Sequence, residues 1–102
     1  MTESGIKELI KRRRNQLLIH SYIYFKLDDS IISNYKYDEW VRELRTLQKE
    51  YPFLSQNTEL YEEFKDIDSL GFGASLPFEQ FSTLDQRARN LLERYHQEQK
   101  KI

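Results

Sequence analysis

The amino-acid sequence predicts an all-α protein, an antiparallel helical hairpin extended by a short third helix and a C-terminal helix. Three observations lead to that class. Apolar residues recur at helical intervals of three and four in the longer segments. Capping residues precede those segments. No segment shows the sustained alternation of apolar and polar residues that is typical of a half-buried strand. The 102 residues suit one domain, 1–102, with the hairpin over 4–52 and the remaining helices over 57–98.

The first predicted helix runs from Ser4 to Lys26, and either Ser4 or Thr2 can cap its start. Asp28-Asp29-Ser30 ends it, and two isoleucines form a short apolar link to the next helix. The apolar positions that define its buried face are Ile6, Leu9, Ile10, Leu17, Tyr24 and Leu27.

The second predicted helix begins after Ser33, which has the side chain of an N-cap, and stops at Pro52. Its apolar stripe covers almost five turns and consists of Tyr37, Trp40, Val41, Leu44, Leu47 and Tyr51. Because the link to the first helix is short, the two helices should form an antiparallel hairpin. We expect Trp40, Leu44 and Leu47 to be buried against Leu17, His20 and Tyr24.

The remainder of the chain predicts two further helices separated by a loop. Asn57 or Thr58 can cap the third helix, whose apolar residues are Leu60, Tyr61 and Phe64. Residues 66–77 contain two of the three glycines and should lie as a loop over the core. Two apolar residues are expected to anchor this loop, Leu70 and Phe72. Ser82 to Asp85 resembles a capping box, and the fourth helix follows with a stripe of Leu84, Ala88, Leu91, Leu92 and Tyr95.

The composition excludes several classes of function. Without cysteine, the chain has no disulfide, no thiolate nucleophile and no cysteine-based zinc site, and two histidines do not suffice for a structural zinc centre. The net charge of -1 gives no overall bias towards nucleic acid. No apolar run approaches the ~20 residues that span a bilayer, and the N-terminus lacks a signal-peptide apolar region. We therefore expect a cytoplasmic protein with no metal and no membrane partner.

A cluster of four cations, Lys11, Arg12, Arg13 and Arg14, covers slightly more than one turn of the first helix. Four charges on one turn cannot all face the core, and such a run is typical of a solvated face. The functional alternative is a contact with nucleic acid or an acidic partner. Arg13 falls between Ile10 and Leu17, so its aliphatic stem can cover the edge of the core.

One longer pattern joins the two hairpin helices across their turn. Its elements occur in the order Tyr22-Ile-Tyr24, Asp28, Ile32-Ser33-Asn34, Tyr37-Asp38, Glu43-Leu44 and Tyr51-Pro52. Over roughly residues 18–54 this pattern resembles the N-terminal helical subdomain of NAD-dependent DNA ligases. The downstream stretch ELYEEFKDIDSLGFGASLPF departs from the ligases. It looks more like small ligase-related proteins of bacteriophages that infect Gram-positive hosts, which lack the other ligase domains.

The resemblance implies a site for the nicotinamide mononucleotide (NMN) half of NAD. Tyr24, Tyr37 and Asp38 match the family's ligand-contacting tyrosines and its second aspartate. Phe25 stands where the family has histidine, and Asn34 stands where it has the first aspartate. Phenylalanine keeps a stacking face but loses a hydrogen-bonding ring, and asparagine removes a negative charge that could pair with the cationic nicotinamide ring. Weakened binding of NMN or NAD is the expected result.

The same residues also admit a purely structural interpretation. Tyr37 begins the apolar stripe of the second helix, and Asp38 in its first turn interacts favourably with the helix dipole. On this interpretation the segment Tyr35-Lys36-Tyr37-Asp38 is only the start of a helix and not a ligand site.

No catalytic residue is predicted. The segment Lys26 to Asp29, Lys-Leu-Asp-Asp, resembles the ligase nucleophile motif Lys-x-Asp-Gly, but Asp29 stands where the motif has glycine. The chain is also too short for the nucleotidyltransferase fold. The predicted function is a non-enzymatic phage accessory or binding protein in DNA metabolism, acting through a protein partner in the cytoplasm of a bacterial host cell and needing no cofactor. The alternatives are a weak NMN- or NAD-binding module and nucleic-acid binding through Lys11–Arg14.

Overall fold

The computed structural model describes residues 1–69 and 71–100, and over these ranges the backbone forms five α-helices and no strand. The helices are α1 (Glu3–Lys26), α2 (Asn34–Glu50), α3 (Pro52–Gln56), α4 (Tyr61–Phe64) and α5 (Leu84–Lys100). A short 3-10 turn, Phe78–Gln80, precedes α5. The prediction of an all-α fold is confirmed. Among the described residues, no helix combines the length and the apolar character that crossing a bilayer would take.

The two hairpin helices begin at the predicted caps. Thr2 Oγ1 accepts a hydrogen bond from the backbone N–H of Gly5 at 3.0 Å, and Ser33 Oγ accepts one from Lys36 at 3.0 Å. Contacts between α1 and α2 pair early residues of one helix with late residues of the other. Arg13 thus meets Glu43, whereas Ser21 meets Tyr37. The helices are therefore antiparallel.

The predicted packing of the hairpin is correct except near the turn that joins its two helices. Trp40 and Leu44 are buried, Leu47 is half-buried, and the His20 ring lies 5.4 Å from the Trp40 ring between centroids. Tyr24 was expected in this buried face but is 56% exposed. Tyr37, in the first turn of α2, already meets Ser21, so Tyr24 lies three residues further along α1, beyond the start of α2.

The segment after α2 differs from the prediction. Pro52 ends α2 but also begins α3, since its fixed φ and missing N–H suit the first turn of a helix. Asn57 and Thr58 do not cap α4. Their side chains instead donate back to the carbonyls of Phe53 and Leu54 in α3, at 2.8 and 2.7 Å. The third predicted helix is consequently shorter than expected and starts at Tyr61.

The core lies between α1, α2 and the chain that follows them. Phe72 in the glycine-containing loop is 9% exposed, and its ring lies edge-on to that of Phe64 with centroids 5.1 Å apart. The other predicted loop anchor, Leu70, lies outside the described residues. The buried members of the core are Ile6, Ile10, Leu17, Leu18, Trp40, Leu44, Phe64, Ile67, Phe72, Leu76, Phe78 and Leu84.

Two polar contacts tie α5 to the second half of α1 and to the turn beyond it. The Tyr22 hydroxyl donates to Asp85 Oδ1 at 2.6 Å, and His96 Nε2 lies 3.6 Å from Asp29 Oδ2. The hydrogen bond lowers the pKa of the Asp85 carboxyl and raises the pKa of the Tyr22 hydroxyl. α5 therefore supports the end of α1, at which the candidate site lies.

Candidate functional site

A cavity of about 230 Å³ opens where α1 ends and α2 begins. Its walls come from three parts of the chain. α1 contributes His20, Ser21, Tyr24 and Phe25, and the interhelical turn with the first turns of α2 contributes residues 30–34 and Tyr37. The third part is the loop segment 71–74, which we call the glycine wall.

Four of the five residues predicted to contact a nucleotide line this cavity, namely Tyr24, Phe25, Asn34 and Tyr37. The fifth, Asp38, is exposed and does not belong to the lining. Consecutive residues of an α-helix are rotated by about 100°, so the residue after Tyr37 faces another direction. The structure thus brings together two tyrosines, a phenylalanine and an amide, and leaves the carboxylate outside.

The aromatic residues occupy two different levels of the cavity. Tyr24 and Phe25 stand at its mouth, where they are 56% and 47% exposed and their rings meet edge-on at 4.9 Å between centroids. Tyr37 lies deeper, and its hydroxyl is 2.7 Å from the hydroxyl of the buried Ser21, where either oxygen can be the donor. Burial raises the pKa of the Tyr37 phenol, so it is neutral at neutral pH.

His20 forms part of the inner wall. Its ring packs on Trp40, and burial lowers the pKa of its imidazole below the ordinary value of 6.5. At neutral pH the ring is therefore uncharged. A neutral imidazole at this place can accept or donate a hydrogen bond and does not repel a cationic ligand.

The glycine wall approaches the helices so closely that any side chain at residue 73 would force Tyr37 to move. A Cβ atom at this position would lie 2.7 Å from Tyr37 Oη and 3.2 Å from Phe25 Cε2. Gly71 has φ +75°, a left-handed conformation that glycine adopts without strain. Sequence reasoning missed the wall as part of the site. The available signal was a pair of glycines separated by an aromatic residue, which indicates close backbone approach.

The cationic turn places only part of the predicted contact surface on the outside of the fold. Arg14 is completely buried. Its guanidinium donates to Gln48 Oε1 and Ser55 Oγ and to the backbone carbonyls of Ser55, Thr58 and Glu59, at 2.6 to 3.2 Å. Burial lowers the pKa of Arg14 to about 10, and the group remains charged at neutral pH. The interpretation of Arg14 as a contact residue for a partner is therefore wrong.

Arg13 is also engaged within the fold. Its Nε lies 3.2 Å from Glu43 Oε2, and its guanidinium carbon lies 5.8 Å from the centre of the Trp40 ring, so it covers the edge of the core. Lys11 and Arg12 are exposed. Of the four cations that the sequence suggested as a nucleic-acid contact, these two are exposed.

Among the residues that the structure describes, no group of His, Asp or Glu is placed to hold a metal ion.

The fold is thus a helical hairpin with an aromatic cavity beside the turn that joins its two helices. Residues 3–58 match the family described as DNA ligase-like, N-terminal NAD+-binding domain. The match covers more than half of the sequence, and the chain belongs to this family.

Relatives named DNA ligase extend the similarity to most of the chain. The protein from Coprothermobacter proteolyticus is 30% identical over 110 aligned positions, and the match covers 96% of this chain and 16% of the relative. The protein from Pseudothermotoga lettingae is 33% identical over 101 residues, or 87% of this chain and 15% of the relative. The protein from Thermoanaerobacter sp. (strain X514) is 46% identical over 48 residues, which cover 47% of this chain and 7% of the relative. The chain thus spans about a sixth of the first two relatives. No solved structure matches it significantly.

Proposed function

We propose that this chain binds a nicotinamide nucleotide, NMN or the NMN half of NAD, in the cavity beside the turn that joins α1 to α2. The observation that carries the proposal is the convergence of Tyr24, Phe25, Asn34 and Tyr37 on one cavity. Membership in a family described by NAD+ binding supports the same ligand. This function takes precedence over the protein-partner function that the sequence suggested.

The chemistry of the cavity suits a nicotinamide ring. The ring is planar and, in NMN and NAD, positively charged. Tyr24, Phe25 and Tyr37 offer aromatic faces, and a cation over such a face gains about 0.5–2 kcal/mol. The Asn34 side chain has both a donor and an acceptor, which a carboxamide needs. His20 stays neutral and adds no opposing charge.

Two residues in the cavity reduce the expected affinity. A hydrogen bond to a charged group contributes about 1.5–3 kcal/mol, so Asn34 in place of aspartate weakens binding by one or two powers of ten. Phe25 in place of histidine removes a neutral hydrogen bond, about 0.5–1.5 kcal/mol. We therefore expect weak binding by the native protein.

The test is calorimetric titration of the native protein and the double variant Phe25→His with Asn34→Asp, using NMN. The double variant should bind at least roughly tenfold more tightly, because it restores a charge and a hydrogen bond. Tyr35→His is the matched control, since Tyr35 is 71% exposed and does not line the cavity. The absence of binding by the folded double variant would refute the proposal and leave Tyr37 and Asp38 as the start of a helix.

We further propose that binding is not followed by covalent chemistry on this chain. The proposal rests on Lys26, which is followed by Leu-Asp-Asp, lies at the end of a helix and is 5.9 Å from the centre of the Phe78 ring. Incubation with NAD followed by intact mass measurement should show no added AMP, and such an adduct would contradict the proposal.

The phage origin and a protein partner in DNA metabolism stay predictions. Gene neighbourhood and affinity capture with purified replication proteins would test them.

A further inference from the structure

Most polar side chains in the cavity wall are already engaged within the described part of the chain. The hydroxyls of Ser21 and Tyr37 bond to each other at 2.7 Å. Ser30 Oγ donates to a backbone carbonyl, and Ser33 Oγ accepts a backbone N–H. Three polar side chains of the lining make no hydrogen bond to a described residue, namely His20, Tyr24 and Asn34. These three are the groups that remain for a ligand.

His20 differs from the other two in its position. Tyr24 is 56% exposed and Asn34 is also exposed, so both stand at the entrance in contact with water. His20 is half-buried in the inner wall, where its ring packs on Trp40. Neither imidazole nitrogen is among the polar atoms of the described chain that are buried without a partner, so both are open to the cavity or to water. His20 therefore offers a free hydrogen-bonding group to the interior of the cavity.

The His20 imidazole is chemically complementary to a carboxamide. Burial lowers the pKa of His20, so the neutral ring is the form present at neutral pH. A neutral imidazole carries one N–H donor and one acceptor nitrogen. Because a carboxamide has both an N–H donor and a carbonyl acceptor, it can bond to either nitrogen, whichever tautomer is present. A pyridinium ring without a carboxamide offers neither group.

The size of the cavity and the start of α2 orient a nicotinamide ring towards His20. At about 230 Å³ the cavity is smaller than the ~300–1,000 Å³ of typical small-molecule sites, so it holds the ring and leaves the ribose and phosphate outside. The entrance includes Ser33 and Asn34 at the N-terminus of α2, where the helix dipole favours an anion. With its phosphate at this end, the ligand turns its ring to the inner wall.

We propose that His20 recognises the carboxamide of the nicotinamide ring, so that the cavity prefers a pyridinium ring with a carboxamide over one without it. This inference rests on the proposed function, because it names the residue that selects the ligand in the same cavity. Asn34 offers the same donor and acceptor, but it does so at the exposed entrance, where water competes for them. The family description names NAD+ and no residue that recognises it.

The experiment compares two cations that differ in the carboxamide alone, 1-methylnicotinamide and 1-methylpyridinium, each titrated by NMR. Because neither carries a ribose or a phosphate, the difference between them reports on the inner wall. A neutral hydrogen bond corresponds to about three- to tenfold in affinity, and the native protein should prefer 1-methylnicotinamide by that factor. Equal binding of the two cations would overturn the inference and leave the proposed function to its own test with NMN.

Two substitutions at His20 separate hydrogen bonding from packing. His20→Phe keeps a ring against Trp40 but has no donor or acceptor, so the preference should fall below about twofold. His20→Gln has both groups and should retain more of the preference than the phenylalanine variant. If His20→Phe weakens both cations by the same factor, or if the two variants behave alike, His20 shapes the cavity without recognising the carboxamide and the inference fails.

Two further variants serve as controls. His96→Phe is the matched control, because it removes a histidine outside the cavity lining and should leave the preference unchanged. A loss in this variant equal to that in His20→Phe would overturn the inference. Asn34→Ala tests the other carboxamide partner. Loss of the preference in Asn34→Ala and not in His20→Phe would assign the recognition to Asn34 and overturn the inference.

A parallel titration of the native protein with NMN separates the two proposals. Binding of NMN without binding of 1-methylnicotinamide would overturn the role of His20 alone, because the inner wall would then not hold the ring. Binding of none of the three compounds would overturn the proposed function as well.

Discussion

Replacing the buried Arg14 by methionine should destabilise the fold more than any loss of surface charge could. Methionine keeps an unbranched apolar side chain in the space of the arginine stem. It removes every hydrogen bond that the guanidinium donates to Gln48, to Ser55 Oγ and to the carbonyls of residues 55, 58 and 59. The carbonyls of Thr58 and Glu59 and the Gln48 Oε1 atom would then lose the donor that the guanidinium provides, whereas the Ser55 carbonyl keeps the N–H of Thr58.

The magnitude follows from two opposing contributions. An acceptor left without a partner in the fold costs about 1–3 kcal/mol, so these three acceptors give roughly 3–9 kcal/mol. The lowered pKa of Arg14, about 10 against 12.5, shows that the charge itself is unfavourable in the fold by about 3 kcal/mol, which the variant recovers. The midpoints of the two contributions, about 6 and about 3 kcal/mol, leave a net loss of about 3 kcal/mol, a large part of the ~5–15 kcal/mol that stabilises a typical domain.

Urea unfolding followed by the fluorescence of the single tryptophan, Trp40, measures this loss. Arg12→Met is the control, because Arg12 carries the same charge on the same turn and is exposed, and it should change the free energy of unfolding by at most ~0.5 kcal/mol. A loss below about 1 kcal/mol for Arg14→Met would show that the hydrogen bonds around the guanidinium do not stabilise the fold as described.

Three further outcomes are expected. Trp40→Ala should lower the free energy of unfolding by about 3–5 kcal/mol, measured by circular dichroism, because the ring is buried; a loss under ~1 kcal/mol would contradict that burial. The lowered pKa of His20 means that the unfolded chain takes up a proton below pH 6.5 when the fold does not, so stability should fall as the pH drops from 6.5 towards the folded pKa. His20→Phe should remove that part of the decline in urea midpoints between pH 7.5 and 5.5, and an unchanged decline would refute the assignment. Gly73→Ala should destabilise the protein and weaken nicotinamide binding, because its Cβ would meet Tyr37 Oη at 2.7 Å, whereas Gly5→Ala in α1 should do neither.

The hairpin could be predicted because its signals are local. Ser33 offers a hydroxyl three residues before the N–H that it caps, and the stripe from Trp40 to Leu44 repeats with the period of a helix. Each of these features depends on residues within a few turns. The start and end of α2 follow from them without knowledge of the rest of the chain.

The parts that could not be predicted depend on contacts between distant residues. In the sequence, nothing distinguishes Arg14 from the exposed cations Lys11 and Arg12. Its carbonyl partners lie 41 to 45 residues further along the chain, in α3 and the turn after it, and only the folded structure brings them to the guanidinium. Gly73 reaches Tyr37 across a loop whose path no local pattern specifies. Pro52 was understood as a stop, but a proline that ends one helix can equally begin the next.

The Arg14 network crosses the boundary of the family match. The family match stops at residue 58, between Thr58 and Glu59, whose carbonyls both accept hydrogen bonds from the same guanidinium nitrogen. The region that the family model matches therefore ends inside this hydrogen-bond network, although the similarity to DNA ligases continues over most of the chain. A polypeptide cut at that boundary would lack the glycine wall, so a fragment chosen by the family match alone would keep Tyr24, Phe25, Asn34 and Tyr37 without the segment that completes their cavity.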